Sequence, residues 1–338
     1  MNNKNDNGTT FPWGHEKRYN AFVRHQRKIY GERVQKVTVD AGFTCPNRDG
    51  TVAKGGCIYC NNESFNPSYN SASKTIRQQV EEGIEFLQRR YRARKFIVYF
   101  QPYSNTYADL DTLKRYYEEA LSHPQVIGLT IGTRPDCVDE AKIAYLEELA
   151  EQYDITIEYG LESISDETLK RINRGHDVQA YLDALEMTAG RGIKICTHMI
   201  FGFPWENQDL WLETADWLSD KPFDFLKVHQ LHVVRNTALG AMYQKQPFPL
   251  MGYEEYLDLL VDFLERLNPR IIIQRLFGEA PPRMLIAPHW NIRNTQLLQL
   301  LDQKLEERDT WQGKKYSARL AAVTHNGDTA ENDDHTDH

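Results

Sequence analysis

"CPNRDGTVAKGGCIYC", residues 45–60, holds three of the five cysteines of a 338-residue chain. Eleven residues separate Cys45 from Cys57, and Ile58 and Tyr59 separate Cys57 from Cys60. Three thiolates are one short of a structural zinc site, which takes four protein ligands. A fourth ligand from His176 or His198 keeps zinc open. A redox pair at Cys57 and Cys60 leaves Cys45 unexplained. A four-iron cluster is the third reading: three cysteines hold it and one iron stays open to an outside ligand, whereas a ferredoxin cluster takes four cysteines and has no open position. Gly55 and Gly56 let backbone crowd against a bulky inorganic group, and Tyr59 can lay its ring against a bound aromatic base. Cys137 at a helix start and Cys196 within a strand pattern read as small buried apolar residues.

Outward from this loop the chain alternates between strand and helix patterns. Strand-like runs are "VQKVTVD" (34–40), "KFIVYF" (95–100), "VIGLTIG" (126–132), "ITIEYG" (155–160), "IKICTHMIFG" (193–202) and "FLKVHQLHVV" (225–234). Helical spacing falls at 73–91, 109–123, 137–152, across 165–190, at 207–219 and at 253–267. The alternation predicts a parallel α/β sheet of six βα units, fewer than the eight of a closed barrel. "RIIIQRLFG" (270–278) and a helix over 294–309 read as a C-terminal extension. The expected organisation is an N-terminal extension (1–33), a core (34–245), a C-terminal extension (246–316) and a disordered acidic tail (317–338). In such folds ligands gather at the C-terminal ends of the strands, where the cysteine loop lies.

At 41% hydrophobic residues the chain can bury one large core or two modest ones. The opening "MNNKNDNGTTFPWG" has no apolar core of a signal peptide, and no run of apolar residues is long enough to span a membrane. An odd cysteine count without a secretion signal predicts reduced thiols and a cytoplasmic location. Net charge is −8, but the last fifteen residues hold five acids, three histidines and no Lys or Arg. The remainder carries 43 acids against 40 bases and is nearly neutral. "QRRYRARK" (88–95) packs five bases into eight positions, a candidate contact for nucleic-acid phosphates or a solvated helix end.

Three further motifs lie just after strands. "GTRPDC" (132–137) reads as a structural turn in which Arg134 and Asp136 tie loops together. "EYGLESISDETLKRINRGHD" (158–177) places Glu158, Glu162 and Ser163 where they suit ribose or a charged group, or alternatively a capped helix entry, and carries Arg174 at a helix break. "HMIFGFPWE" (198–206) contains Gly202 for close approach and Pro204 for a fixed turn whose backbone can meet an adenine edge.

With "HVVRNTALGAMYQ" (232–244), these motifs in order resemble radical S-adenosylmethionine (SAM) enzymes, and among them the YtqA/YhcC-type proteins related to the Elongator catalytic subunit, over residues 20–290. The resemblance implies a partial (β/α)6 TIM-like barrel with N- and C-terminal extensions. It implies a [4Fe-4S] cluster on Cys45, Cys57 and Cys60 whose open iron takes the amino and carboxylate groups of SAM. It further implies adenine contacts from Tyr59 and the Gly202–Pro204 turn, and ribose or carboxylate contacts from Glu158, Glu162, Ser163 and Arg174. Gln101, Ser104 and Asn105 occupy the place of the usual motif for the methionyl amino group, with "FQPYSNTY" standing there instead. A flavodoxin- or ferredoxin-type reductant is implied as electron donor. The Elongator relationship implies tRNA as partner and the C5 substituent of the wobble uridine as target, with contacts from residues 88–95, from Lys17, Arg18, Arg24, Arg27 and Lys28, and from Arg235. No segment suits an acetyl-CoA-binding domain, which points away from carboxymethylation and toward another rearrangement or an aminomethyl-forming step. The competing expectations are a radical SAM enzyme for a small molecule or protein, and a zinc-stabilised RNA-binding module.

Overall fold

A computed structural model describes residues 10–61 and 73–316. The expected acidic tail at 317–338 lies outside the described residues. The strands are β1 (Val34–Val39), β2 (Lys95–Phe100), β3 (Val126–Thr133), β4 (Asp154–Glu162), β5 (Lys194–Phe201), β6 (Phe225–Gln230), β7 (Val233–Val234), β8 (Ile272–Arg275) and β9 (Leu285–Ala287). The helices are α1 (Phe22–Tyr30), α2 (Pro46–Asp49), α3 (Ile76–Tyr91), α4 (Leu110–Leu121), α5 (Glu140–Ala150), α6 (Asp166–Arg171), α7 (Val178–Thr188), α8 (Gln208–Ser219), α9 (Ala238–Lys245), α10 (Tyr253–Arg266) and α11 (Asn294–Glu307).

Seven strands form one parallel sheet in the order β1-β2-β3-β4-β5-β6-β8, curled into a half-barrel. Val37 pairs with Val98, Val98 with Leu129 and Leu129 with Ile155, so a row of β-branched and aliphatic residues crosses the sheet and packs under the outer helices. Entry into the helices is set by side-chain caps: Asp109, Asp139, Ser165 and Asn207 each accept a backbone N–H three residues on. Each such cap contributes about 1 kcal/mol. All four stand in loops that leave the C-terminal ends of strands, so they also fix the rim of the barrel.

The run at 225–234 is two strands rather than one. β6 has only three paired positions with its neighbour β8, and Val233–Val234 turn away to pair antiparallel with β9. The strand expected at 270–278 is shorter and joins the main sheet at its edge. That edge is covered by the N-terminal segment, where Ala21 bridges Ile273 and the Ile273 N–H donates to the Asn20 carbonyl at 2.7 Å. Helix α1 then crosses the bottom of the barrel, with Phe22 edge-on to Phe225 at 5.1 Å. Among the described residues no helix is long and apolar enough to cross a membrane.

Candidate functional site

A cavity of about 710 Å³ opens at the C-terminal ends of the strands, and Cys45, Cys57 and Cys60 line it together. The eleven-residue interval between the first two cysteines is tightly folded. Pro46 starts the one-turn helix α2, Gly50 ends it at φ +94°, and the Val52 and Gly56 N–H groups return to the Pro46 and Asn47 carbonyls. The loop is then pinned to the segment after α6. The Asn47 amide donates to the Asn173 and Arg174 carbonyls, Asn173 donates back to the Lys54 and Gly56 carbonyls, and the Ile58 N–H donates to the Ile172 carbonyl. Gly175, at φ +75°, is needed here because a Cβ would stand 2.1 Å from Asn47 Oδ1. Asn47 is fully buried; these bonds satisfy its amide N–H groups, while its Oδ1 is buried without a partner.

Arg174 is the polar centre of this rim. Its guanidinium donates to Cys57 Sγ at 3.5 Å and to the Gly160 carbonyl, and lies 3.5 Å from Glu162. Glu162 adopts φ +74° at a register shift in β4, which turns its carboxylate back toward Arg174. Arg134 makes a two-pronged pair with Asp136 at 2.8 and 2.6 Å and also donates to the Arg174 carbonyl. The "TRPD" turn therefore ties loops together as expected. Burial raises the Cys45 and Cys60 thiols, and Cys57 adds to the effect at Cys60.

Deeper in the barrel lies a charged cluster that the sequence reading did not assemble. Glu158 Oε1 accepts from Lys36 at 3.0 Å and Gln274 at 3.5 Å, while Oε2 accepts from Lys227 at 2.6 Å and His198 at 3.1 Å. Burial would raise the Glu158 carboxyl, but Lys227, Lys36 and His198 outweigh it and hold the group well below the usual carboxylate range. One carboxylate faces two ammonium groups, so Lys227 is pushed down too, to about 8, chiefly by burial. Both ammoniums also lie over the Tyr99 ring, at 4.7 and 4.9 Å from its centre. Glu158, Cys196 and His198 form the one group of three candidate metal ligands within 4.8 Å of one another among the described residues. The Lys227 ammonium already occupies the place a cation would take beside the carboxylate.

The expected site residues divide into two sets. Tyr59, Gln101, Glu158, Glu162 and Arg174 line the cavity with the three cysteines. Tyr59 lies 6.2 Å from the Phe203 ring. Glu158 is corrected in role: four donors saturate its oxygens, which leaves no acceptor for ribose. Ser104, Asn105, Ser163, Gly202 and Pro204 lie outside the lining. Ser104 is fully buried and accepts the Arg134 N–H, Asn105 donates to the Phe100 and Gly132 carbonyls, and Ser163 donates to Glu206 at 2.6 Å. Gly202 faces Met251, and Pro204 is exposed. Arg235 is exposed and outside the lining, held by its carbonyl to Asn61. Cys137 and Cys196 are buried, as anticipated.

The basic stretch at 88–95 sits away from the mouth. Residues 88–95 run from the end of α3 into the start of β2, at the opposite end of the strands from the cavity. Arg89 pairs with Glu85 and Lys95 with Glu32. Lys17, Arg18 and Arg24 pair with Asp302, Asp309 and Glu16.

The three thiols fit a cluster better than a single zinc ion. A structural zinc ion takes four protein ligands, whereas Cys45, Cys57 and Cys60 share one open cavity, which leaves room for an outside ligand on a cluster they hold. Beside them, Arg174 Nε is buried without a partner, an unfilled donor suited to a ligand carboxylate.

Comparison with known proteins agrees with this geometry. The profile described as the Radical SAM superfamily matches residues 45–218, and that of the Radical SAM C-terminal domain matches 223–307. Protein YtqA of Bacillus subtilis is 34% identical over 305 residues, covering 90% of this chain and 95% of its own. Elongator complex protein 3 of Schizosaccharomyces pombe is 26% identical over 211 residues, covering 60% of this chain but 38% of that protein. Among solved structures, archaeal Methanocaldococcus infernus Elp3 superposes with a TM-score of 0.63 at 17% identity, covering 82% of this chain and 64% of that one, a likeness of fold.

Proposed function

The chain belongs to the radical SAM superfamily, and from that premise we propose that it modifies the C5 substituent of the tRNA wobble uridine, with Cys45, Cys57 and Cys60 as the cluster ligands. Members of the family bind a [4Fe-4S] cluster and SAM, and when bound these supply a 5′-deoxyadenosyl radical that takes a hydrogen atom from the substrate. The observation that carries the reading is the joint presence of three thiols and Arg174, whose Nε has no partner, on the lining of one cavity. The similarity to Elongator complex protein 3 supports tRNA as the substrate class.

In this reading each residue has a distinct task. Asn47 and Gly175 hold the cysteine loop against the segment after α6 and so fix the positions of the thiols. Arg174 donates to Cys57 and offers Nε to the carboxylate of SAM, while Glu162 holds the guanidinium in place. Tyr59, which lines the cavity with the buried Phe203 ring behind it, is the aromatic surface for adenine. Gln101 meets the methionyl amino group from the end of β2. The Glu158 cluster keeps the lumen polar and rigid below the reacting groups, so that a base entering from the mouth is met by fixed donors. A soluble one-electron donor of flavodoxin or ferredoxin type completes the scheme.

Mass spectrometry of tRNA nucleosides from a deletion strain tests the substrate. Loss of a wobble-uridine derivative, restored by the wild-type gene but not by one carrying Cys57→Ser, is the expected result. Unchanged wobble uridines across growth conditions would exclude tRNA and leave a radical SAM enzyme of another substrate class.

A further inference from the structure

Four arginines line the cavity, and three of them are engaged. Arg48 donates to the Cys60 carbonyl at 3.0 Å, Arg134 pairs with Asp136, and Arg174 holds Glu162. The side chain of Arg275, at the end of β8, has neither an ion pair nor a hydrogen-bond partner among the described residues, although it too lines the cavity. It stands on the wall opposite the cysteine loop. There the segment after β8 packs on two histidines: a Cβ at Gly278 would lie 3.4 Å from His232 and 3.5 Å from His229. His229 Nε2 is buried without a partner. Burial keeps both rings neutral, lowering His232 to about 4 and His229 well below its usual value, and Arg275 itself depresses His229 further. Lys227, in register with Arg275 on β6, is spent on Glu158, and the acid nearest along the chain, the exposed Glu279, forms no ion pair with Arg275. This wall therefore carries one uncompensated positive charge beside an unfilled hydrogen-bonding position.

We propose that the β6–β8 wall of the cavity is a phosphate subsite, in which Arg275 pairs with a phosphate of the substrate nucleotide while His229 meets a polar edge of the same nucleotide. The proposal rests on the reading of the substrate as RNA. Pairing an isolated arginine with a phosphate at a partly buried wall gives a charge-assisted contact of the stronger kind. Because the residue is exposed and bonds to nothing else, its replacement leaves the fold intact.

The test uses anaerobically reconstituted full-length protein, titrated with a synthetic anticodon stem-loop RNA, with uridine 5′-monophosphate and with SAM, at several salt concentrations. Wild type is expected to bind the stem-loop. Arg275→Gln is expected to bind it about tenfold more weakly, with the slope of log K against log salt smaller by about one, and Arg275→Lys to recover part of the loss. SAM binding, iron content and melting temperature should not change in either variant. Equal binding of the stem-loop by wild type and Arg275→Gln overturns the subsite while leaving the tRNA reading in place. Binding of the monophosphate but not the stem-loop, with the same dependence on Arg275, supports the subsite and overturns the tRNA reading. Binding of neither overturns both, and a loss confined to SAM assigns Arg275 to the cofactor and overturns the subsite.

Discussion

Lys227→Met is the most informative single change in the barrel, because it removes one ammonium and leaves the shape of the side chain largely in place. The Lys227 side chain is 3% exposed, and that of Glu158 is 0% exposed at 2.6 Å from it. Breaking a buried pair by removing one partner costs about 3–5 kcal/mol, since the other charge stays desolvated. Here Lys36 at 3.0 Å and His198 at 3.1 Å still face the carboxylate, so the low end, about 3 kcal/mol, is expected. Unfolding entropy of about 2.1 cal/mol/K per residue converts this to a fall in melting temperature of about 4 °C for a chain of this size. The double variant Glu158→Gln/Lys227→Met should be less destabilised than the two singles summed, by about 2 kcal/mol. Denaturant unfolding of cluster-free protein under reducing conditions, followed by circular dichroism, reads both quantities. A loss below about 1 kcal/mol for Lys227→Met, or strict additivity in the double variant, would refute the claim that these charges depend on each other.

Other outcomes follow from the same geometry. Glu158 is held below its ordinary value, so its stabilising contribution is complete above the unfolded carboxyl range and is lost as pH falls through the folded value. Lys227→Met should therefore move the acid unfolding limb to higher pH; an unmoved limb would remove Lys227 as the cause. Asn47→Ala should free the cysteine loop, costing about 1–3 kcal/mol locally through the carbonyls left unpaired, and speed the loss of iron to a chelator several-fold. Gly175→Ala should do the same by displacing Asn47, and wild-type rates of iron loss in both would show that the loop does not depend on this anchor. Cys45→Ser, Cys57→Ser and Cys60→Ser should each lower the content of about four irons per chain and bleach the visible absorbance. Cys137→Ser and Cys196→Ser should retain the iron.

Much of the architecture was legible because the central strands bury both faces. Runs such as "KFIVYF" and "VIGLTIG" are continuous apolar segments that no exposed element would tolerate. The seventh strand was read as an extension because Ile272–Arg275 is short and has only three paired positions; its place is set by β6 and by the segment around Ala21. The helix α2 and the fold of the Cys45–Cys57 loop were invisible, since Asn47 acquires its meaning only from carbonyls more than a hundred residues away. The lumen cluster escaped for the same reason. Lys36, Glu158, His198 and Lys227 come from four strands, and nothing in any one strand shows that the four side chains meet. A charged residue inside a strand that is otherwise buried on both faces was the available signal. The motif "EYGLES" at the end of β4 singled out Glu158 but could not reveal that its oxygens are already taken.

The central claim, that Cys45, Cys57 and Cys60 hold a cluster that acts on SAM, is tested most directly by one assay. Reconstituted protein is mixed with dithionite and SAM under anaerobic conditions, and 5′-deoxyadenosine is measured by mass spectrometry. Wild type should form it and Cys57→Ser should not. Protein that carries a full complement of iron yet forms no 5′-deoxyadenosine, or a Cys57→Ser variant that forms as much as wild type, would contradict the account.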